Sequence, residues 1–260
     1  MIGQKNLLKK LMNYTTNTMP HSILLVGESG SEEEELCKII SDHLDLEYFK
    51  IDKIDADTLT EIYACSIRSL FLIDLNNISI GDQMLLLKIF EEPSPYIYFI
   101  LTARNDDLIL DTIKTRSYKF NFDFYTLDEL DLLIIDKEAI KNNTSLIRLL
   151  VKTPGQAEIF NNMNDFNGLV SLCDKIINSK LTEAECLNAS NLINFGDEYS
   201  KYDLLFFIRT LKYFSMFNNI EKYDIILLLD RWVWTLSNKK SYVDQVILNL
   251  QKYGNSGIKE

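Results

Sequence analysis

Proline, glycine, cysteine and histidine are all scarce in this chain of 260 residues: four, nine, four and two copies respectively. So few helix-breaking residues, with 47% of positions apolar, exclude a disordered or low-complexity chain and leave material for real cores. The length suits one large domain or two to three small ones. Cys37, Cys65, Cys173 and Cys186 include no short-spaced pair. Zinc modules set ligands about two to four residues apart, so no metal site is expected and the cysteines read as free thiols in a reducing compartment. His21 and His43 lie in no ligand or base motif. Positive charge is also short: 27 Lys and Arg against 38 Asp and Glu give a net charge of −11. That excludes a general nucleic-acid coat but leaves room for a local basic patch, or for DNA contact within a larger assembly. No apolar run reaches the roughly 18 residues of a membrane span. The opening "MIGQKNLLKKLMNYTT" lacks the apolar core and cleavage site of a signal peptide, so a soluble, cytoplasmic protein is expected.

What is present falls into two halves. Up to Phe122, apolar runs alternate with helical patterns. "SILLV", "YFKID", "SLFLID", "YIYFILTA" and "SYKFNF" read as strands, with "SEEEELCKIISDHL", "DADTLTEIYACSI", "GDQMLLLKIFEEP" and "DDLILDTI" as helices between them. Continuous apolar strands separated by helices predict a parallel sheet covered on both faces, an α/β domain over residues 1–123. After Phe124 the strand signal disappears. Short helices are expected over 124–164, opened by Thr126 as an N-cap, and a bundle of about five longer amphipathic helices over 165–260. The bundle's aromatics, Phe206, Phe207, Tyr213, Phe214, Trp232 and Trp234, read as core.

The informative stretch is "GESGSEEEE", following the first strand. Strand, Gly/Ser turn and helix are the build of a phosphate-binding loop, which ends in Gly-Lys-Ser/Thr so that the ammonium holds phosphate and the hydroxyl holds Mg²⁺. With the pattern set on Gly27, Gly30 is the second glycine, but Glu32 stands at the third glycine, Glu33 at the lysine and Glu34 at the hydroxyl. A carboxylate about 4 Å from a phosphate charge costs roughly 4 kcal/mol at an effective dielectric near 20. The nucleotide site is therefore expected to be empty, with the acids serving the dipole of the following helix. The strand "SLFLID" ends in Asp74, but Leu75 follows where an ATPase would carry its second acid. Asp74 can be a metal-linked acid or a turn-capping one.

Six stretches in order resemble the clamp-loader branch of the AAA+ ATPases: "IGQ" at 2–4, "MPHSILLVG" at 19–27, "FLID" at 71–74, "LLLKIFEEPSP" at 85–95, "FILTAR" at 99–104 and "LDTIKTRSYKFNF" at 110–122. The likeness is closest to the degenerate delta-prime type. It implies a RecA-like AAA+ core over 1–123, a small helical lid over 124–164 and an all-α collar over 165–260. In that family a Ser-Arg-Cys element delivers an arginine finger to the neighbouring subunit's ATP. Here it reads Thr115-Arg116-Ser117, so Arg116 is the implied finger, with Thr115 and Ser117 beside it. The lid's second-sensor arginine is replaced by Glu158 in "GQAEIF", and the zinc insertion common in relatives is missing.

The resemblance implies a non-hydrolysing stator that carries no cofactor of its own, the ATP and Mg²⁺ being bound next door. Its implied partners are gamma/tau-like ATPase subunits, a delta-like subunit, a sliding clamp and primed DNA. Gln83 and Arg104 are the candidate DNA contacts, although neighbouring Asp82 suits a phosphate poorly. Two other classes stay open: a divergent active ATPase, and an adaptor of another AAA+ assembly.

Overall fold

The computed structural model describes residues 3–107, 109–136, 143–195, 202–218, 220–233, 236 and 238–253. The chain divides into two compact units, Met1–Leu133 with Lys152–Gln156, and Ile134–Val151 with Ala157–Glu260.

The first unit is built on five parallel strands: β1 (Ser22–Val26), β2 (Glu47–Ile51), β3 (Ser69–Asp74), β4 (Ile97–Ala103) and β5 (Tyr118–Asn121), in the order β2-β3-β4-β1-β5. Between and before them run α1 (Lys5–Leu11), α2 (Glu33–Leu44), α3 (Ala56–Ala64), α4 (Ile80–Glu91) and α5 (Asp111–Arg116), and α6 (Leu127–Leu133) follows. The apolar runs are continuous because both sheet faces are covered. Ile23, Leu25, Leu70, Leu72 and Ile100 join Leu7, Leu11, Leu36, Cys37 and Ile40 of α1 and α2 on one face. Leu24, Phe71, Ile73, Phe99 and Leu101 join Ile62, Leu86, Ile89 and Ile113 of α3, α4 and α5 on the other.

The N-terminal end is tied down by polar bonds. The fully buried Gln4 exchanges two hydrogen bonds with the Asp123 backbone, at 2.9 and 2.7 Å, and the Asp123 carboxylate accepts from the Asn6 and Leu7 amides at the start of α1. Ile2 of the "IGQ" stretch lies outside the described residues. His21 has a structural role: its Nδ1 lies 2.8 Å from the Ile97 carbonyl and its ring stacks on Tyr98.

The second unit is helical, with α7 (Thr144–Leu150), most of α8 (Pro154–Asn161), α9 (Phe166–Asn178), α10 (Glu183–Ser190), α11 (Leu204–Asn218), α12 (Ile220–Trp232) and α13 (Lys239–Tyr253). A two-residue parallel pair, β6 (Ile193–Asn194) with β7 (Tyr202–Asp203), interrupts the helices, a departure from the all-helical expectation too short to leave an alternation in the sequence. Phe206 and Phe207 are fully buried, as expected of core. Trp232 is not core: it is 45% exposed, with the Arg231 guanidinium over its ring. Tyr213 and Phe214 are half-buried, and Trp234 lies outside the described residues.

With glycine scarce, several helix ends in this unit are closed by long polar side chains from other helices. Lys222 Nζ donates to the Ile177 carbonyl, Gln251 Nε2 to Ile176 O and Arg209 Nη1 to Leu150 O, satisfying last-turn carbonyls of α9 and α7. Burial pushes the Lys222 ammonium down from its ordinary range. At the start of α10, Thr182 and Glu185 form a reciprocal capping box.

Candidate functional site

In a parallel sheet ligands bind beyond the carboxyl ends of the strands, where the order reverses. Here that is the region after β1, flanked by β4 and β5. The loop from Gly27 to Glu32 leaves β1 there. Its turn is closed by Ser31 Oγ donating to Glu28 O at 2.6 Å, and Gly30 and Glu32 both take left-handed backbone, φ +82° and +61°. A non-glycine residue held left-handed costs on the order of 1 kcal/mol or more, so the surrounding structure imposes it.

The three glutamates separate. Glu32 forms the left-handed N-cap of α2. Glu34 points outward to Lys50 on β2, with Nζ 2.5 Å from Oε1, and this bond lowers its pKa. Glu33 turns back into the loop, where Oε1 accepts from the Gly30 amide at 3.0 Å. Burial pushes the Glu33 carboxyl up. Bonds from the backbone of Glu33, Ser31 and Gly30 pull it back, and the charge of Asp74 adds to the rise. The Glu33 side chain thus reaches the Gly30 amide on the inner side of the loop.

The outer side of the same loop is also engaged. Thr153 Oγ1 donates to Ser29 O at 2.9 Å and Gln156 Nε2 to the same carbonyl at 3.2 Å. The Gly155 amide donates to Gly30 O at 2.9 Å. Gly155 and Gly30 meet so closely that a Cβ on Gly155 would lie 2.8 Å from the Gly30 Cα. Thr153 also accepts from the Gln156 amide ahead of Pro154, the first residue of α8. None of Thr153, Gly155 and Gln156 was among the expected site residues. The Thr-Pro-Gly turn before a helix indicates a cap, not a partner 124 positions away, and the "GQAEIF" stretch drew notice only for Glu158.

Asp74 behaves as a turn-capping acid. Its Oδ1 accepts from the Asn76 amide at 3.1 Å and the Asn76 side chain at 2.6 Å, capping the 3₁₀ turn Leu75–Asn77, and Thr102 Oγ1 is 3.4 Å away. Leu75 is buried in the core. Glu158 is exposed on α8.

Arg116 is the last residue of α5, with its side chain 36% exposed. Nη2 pairs with Glu91 Oε1 of α4 at 3.0 Å, and Nη1 donates to Thr112 O. Beside it Thr115 is exposed and bonded to Thr112 O, while Ser117 Oγ lies 2.7 Å from Ser22 Oγ of β1. The two candidate DNA contacts face elsewhere. Gln83 is 1% exposed, its Oε1 accepting from the Leu110 amide at the start of α5. Arg104 follows β4 with its amide bonded to Asn76 Oδ1 and with Nε and Nη1 shielded from solvent. Gln83 is therefore drawn inward by an amide at a helix start, and the side chain does not present itself to a backbone phosphate. Asp82 is engaged with its own cap, Ser79, at 2.7 Å.

Residues 50–125 match the family described as DNA polymerase III, delta subunit. The matched segment spans β3, α4, β4, α5 and β5, and so carries both Asp74 and Arg116. No curated protein matches the chain. Among solved structures, a DNA polymerase III gamma subunit-related protein from Thermotoga maritima covers 96% of this chain and 99% of its own, at 15% identity and a TM-score of 0.47. A RuvB point mutant from the same organism covers 96% of this chain and 88% of its own at 17% identity, with a TM-score of 0.50. The RuvB Holliday junction branch migration motor, also from Thermotoga maritima, covers 95% and 87% at 18% identity, with a TM-score of 0.48. The five-stranded parallel sheet with flanking helices and the helical C-terminal portion are the fold shared with the RuvB mutant. Over residues 50–125 the likeness is to a DNA polymerase III subunit family.

Proposed function

We propose that this chain is a non-hydrolysing, delta-prime-like stator of a clamp loader, which completes a neighbouring subunit's ATP site with Arg116 and helps load a sliding clamp onto primed DNA. The observation that carries the reading is the contrast between the two ends of the sheet. At the carboxyl end the loop after β1 is engaged by this chain's own groups, while at the amino end, just before β5, the arginine of the Thr115-Arg116-Ser117 element stands at the surface.

A guanidinium delivered in trans stabilises charge on the transferring phosphoryl group, and its fork matches phosphate oxygens that an ammonium would meet only as a point charge. ATP and Mg²⁺ belong to the neighbour in this scheme. Glu91 and the Thr112 carbonyl hold Arg116 at the end of α5, and a half-exposed pair of this kind releases at little cost. The buried Leu75 and the capped Asp74 leave no water-activating carboxylate at the end of β3, in keeping with a subunit that does not hydrolyse ATP. Gamma/tau-like ATPases and a delta-like subunit are the partners, with residues 124–164 as lid and 165–260 as collar.

The test is co-purification from the native host, followed by ATPase assay of what binds. A partner with an intact phosphate loop should co-purify. Its primed-DNA-stimulated ATPase should collapse with Arg116→Ala while the complex stays assembled. If no such partner is found, or if Arg116→Ala leaves the partner's turnover unchanged, the stator reading fails.

A further inference from the structure

A loop of this build presents its amides to an anion, and an unfilled set of such amides is costly wherever water cannot replace the ligand. In this chain a side-chain oxygen is already there. The Glu33 carboxyl group sits half-buried against the Gly30 amide, which donates to its Oε1 at 3.0 Å. The opposite, carbonyl side of the loop is taken by Thr153, Gly155 and Gln156. The Gly30–Gly155 contact leaves no space for a side chain between the two backbones.

We propose that Glu33 is a built-in occupant of the loop's phosphate seat. A carboxyl oxygen takes the inward Gly30 amide while the Thr153–Gln156 segment holds the outward carbonyls, so the loop keeps this form without nucleotide. The device is autoinhibitory in the literal sense, since a polyphosphate could reach that amide only by expelling the Glu33 side chain from it. It accounts for Glu at the lysine position more fully than service to the helix dipole does: Glu34 and Glu35 also lie in the first turn of α2, yet Glu34 points outward to Lys50. The inference rests on the reading of the loop as nucleotide-free and is independent of whether Arg116 acts in trans.

Amide hydrogen exchange over residues 27–33, followed in the full chain with and without MgATP, tests it. In the wild type these amides should be protected without nucleotide and unchanged by MgATP. Glu33→Ala should speed exchange at Gly30 by roughly tenfold or more. Glu33→Gln keeps an acceptor oxygen and should give a smaller increase, which supplies the answer should the alanine variant fold poorly. If both variants exchange like the wild type, the built-in occupant is refuted and the nucleotide-free reading stands. If MgATP adds protection in the wild type, the nucleotide-free reading itself fails, and the proposal with it.

Discussion

The loop after β1 and the end of α5 are both polar segments of the first unit, and they dispose of their charge in opposite ways. At the loop, Glu33, Thr153 and Gln156 turn their hydrogen-bonding capacity inward, onto the chain's own backbone. At α5, Arg116 leaves its guanidinium at the surface, against the half-exposed Glu91 and the Thr112 carbonyl of its own helix. An inward network resists change because each missing bond strands a partner. A surface cation is replaceable as far as folding is concerned, so its presence calls for an explanation outside the fold. The first pattern suits a structural joint, and the second suits a group meant for another molecule.

The largest effect should come from the exposed side of this contrast. Arg116→Ala is expected to lower the neighbour's ATPase by about 10³-fold or more, while shifting the chain's own stability by less than about 0.5 kcal/mol. Steady-state turnover and urea unfolding of the same preparation would read both. A variant that unfolds readily instead would make Arg116 a structural residue and erase the distinction.

On the inward side, Gly155→Ala should destabilise the first unit by about 1–3 kcal/mol, because the new Cβ meets backbone that cannot swing away. Denaturant midpoints at constant slope would measure this. An unchanged midpoint would mean that the glycine–glycine contact is looser than described.

The adjacent glutamates should titrate against each other. Burial raises the folded pKa of Glu33 above its ordinary value of 4.5, so its stabilising share is complete below that value and is lost as the pH rises through the folded pKa. The wild type should therefore lose ground to Glu33→Gln as the pH is raised. The bond to Lys50 lowers the folded pKa of Glu34, so its contribution is present above 4.5 and fades as the pH falls through the folded value. Glu34→Gln should thus approach wild-type stability in acid. Thermal unfolding across that range would show slopes of opposite sign, and parallel slopes would contradict the different placements of the two side chains. The smallest effect belongs to Lys50→Ala, about 0.2–1 kcal/mol and reduced by salt, since that pair is about half exposed.

Much of the fold was legible because its cause is local. The runs at 22–26, 69–74 and 97–103 alternate between two apolar faces and contain few polar residues, a pattern that only a doubly covered parallel sheet accommodates. The place of Arg116 at the end of a helix beside an edge strand was legible too, from the short span of Asp111–Asn121. Trp232 and Gln83 were not legible. An aromatic in a helical stripe and a glutamine in a first turn carry no local sign of which way they face, and in each the packing of other elements decides.

Composition and pattern were sufficient to state that a parallel α/β unit precedes a helical one, and that the loop after the first strand runs into consecutive acids at 32–34. Both follow from properties each residue carries with it, namely apolarity at a given period and charge at a given spacing. Where those acids point was decided by tertiary structure alone. The left-handed turns at Gly30 and Glu32 and the inward swing of Glu33 are found in a loop clasped by Thr153, Gly155 and Gln156, about 125 positions along the chain. A side chain's rotamer answers to whatever donors the fold brings within hydrogen-bond distance, and no local pattern records a donor that arrives from so far away.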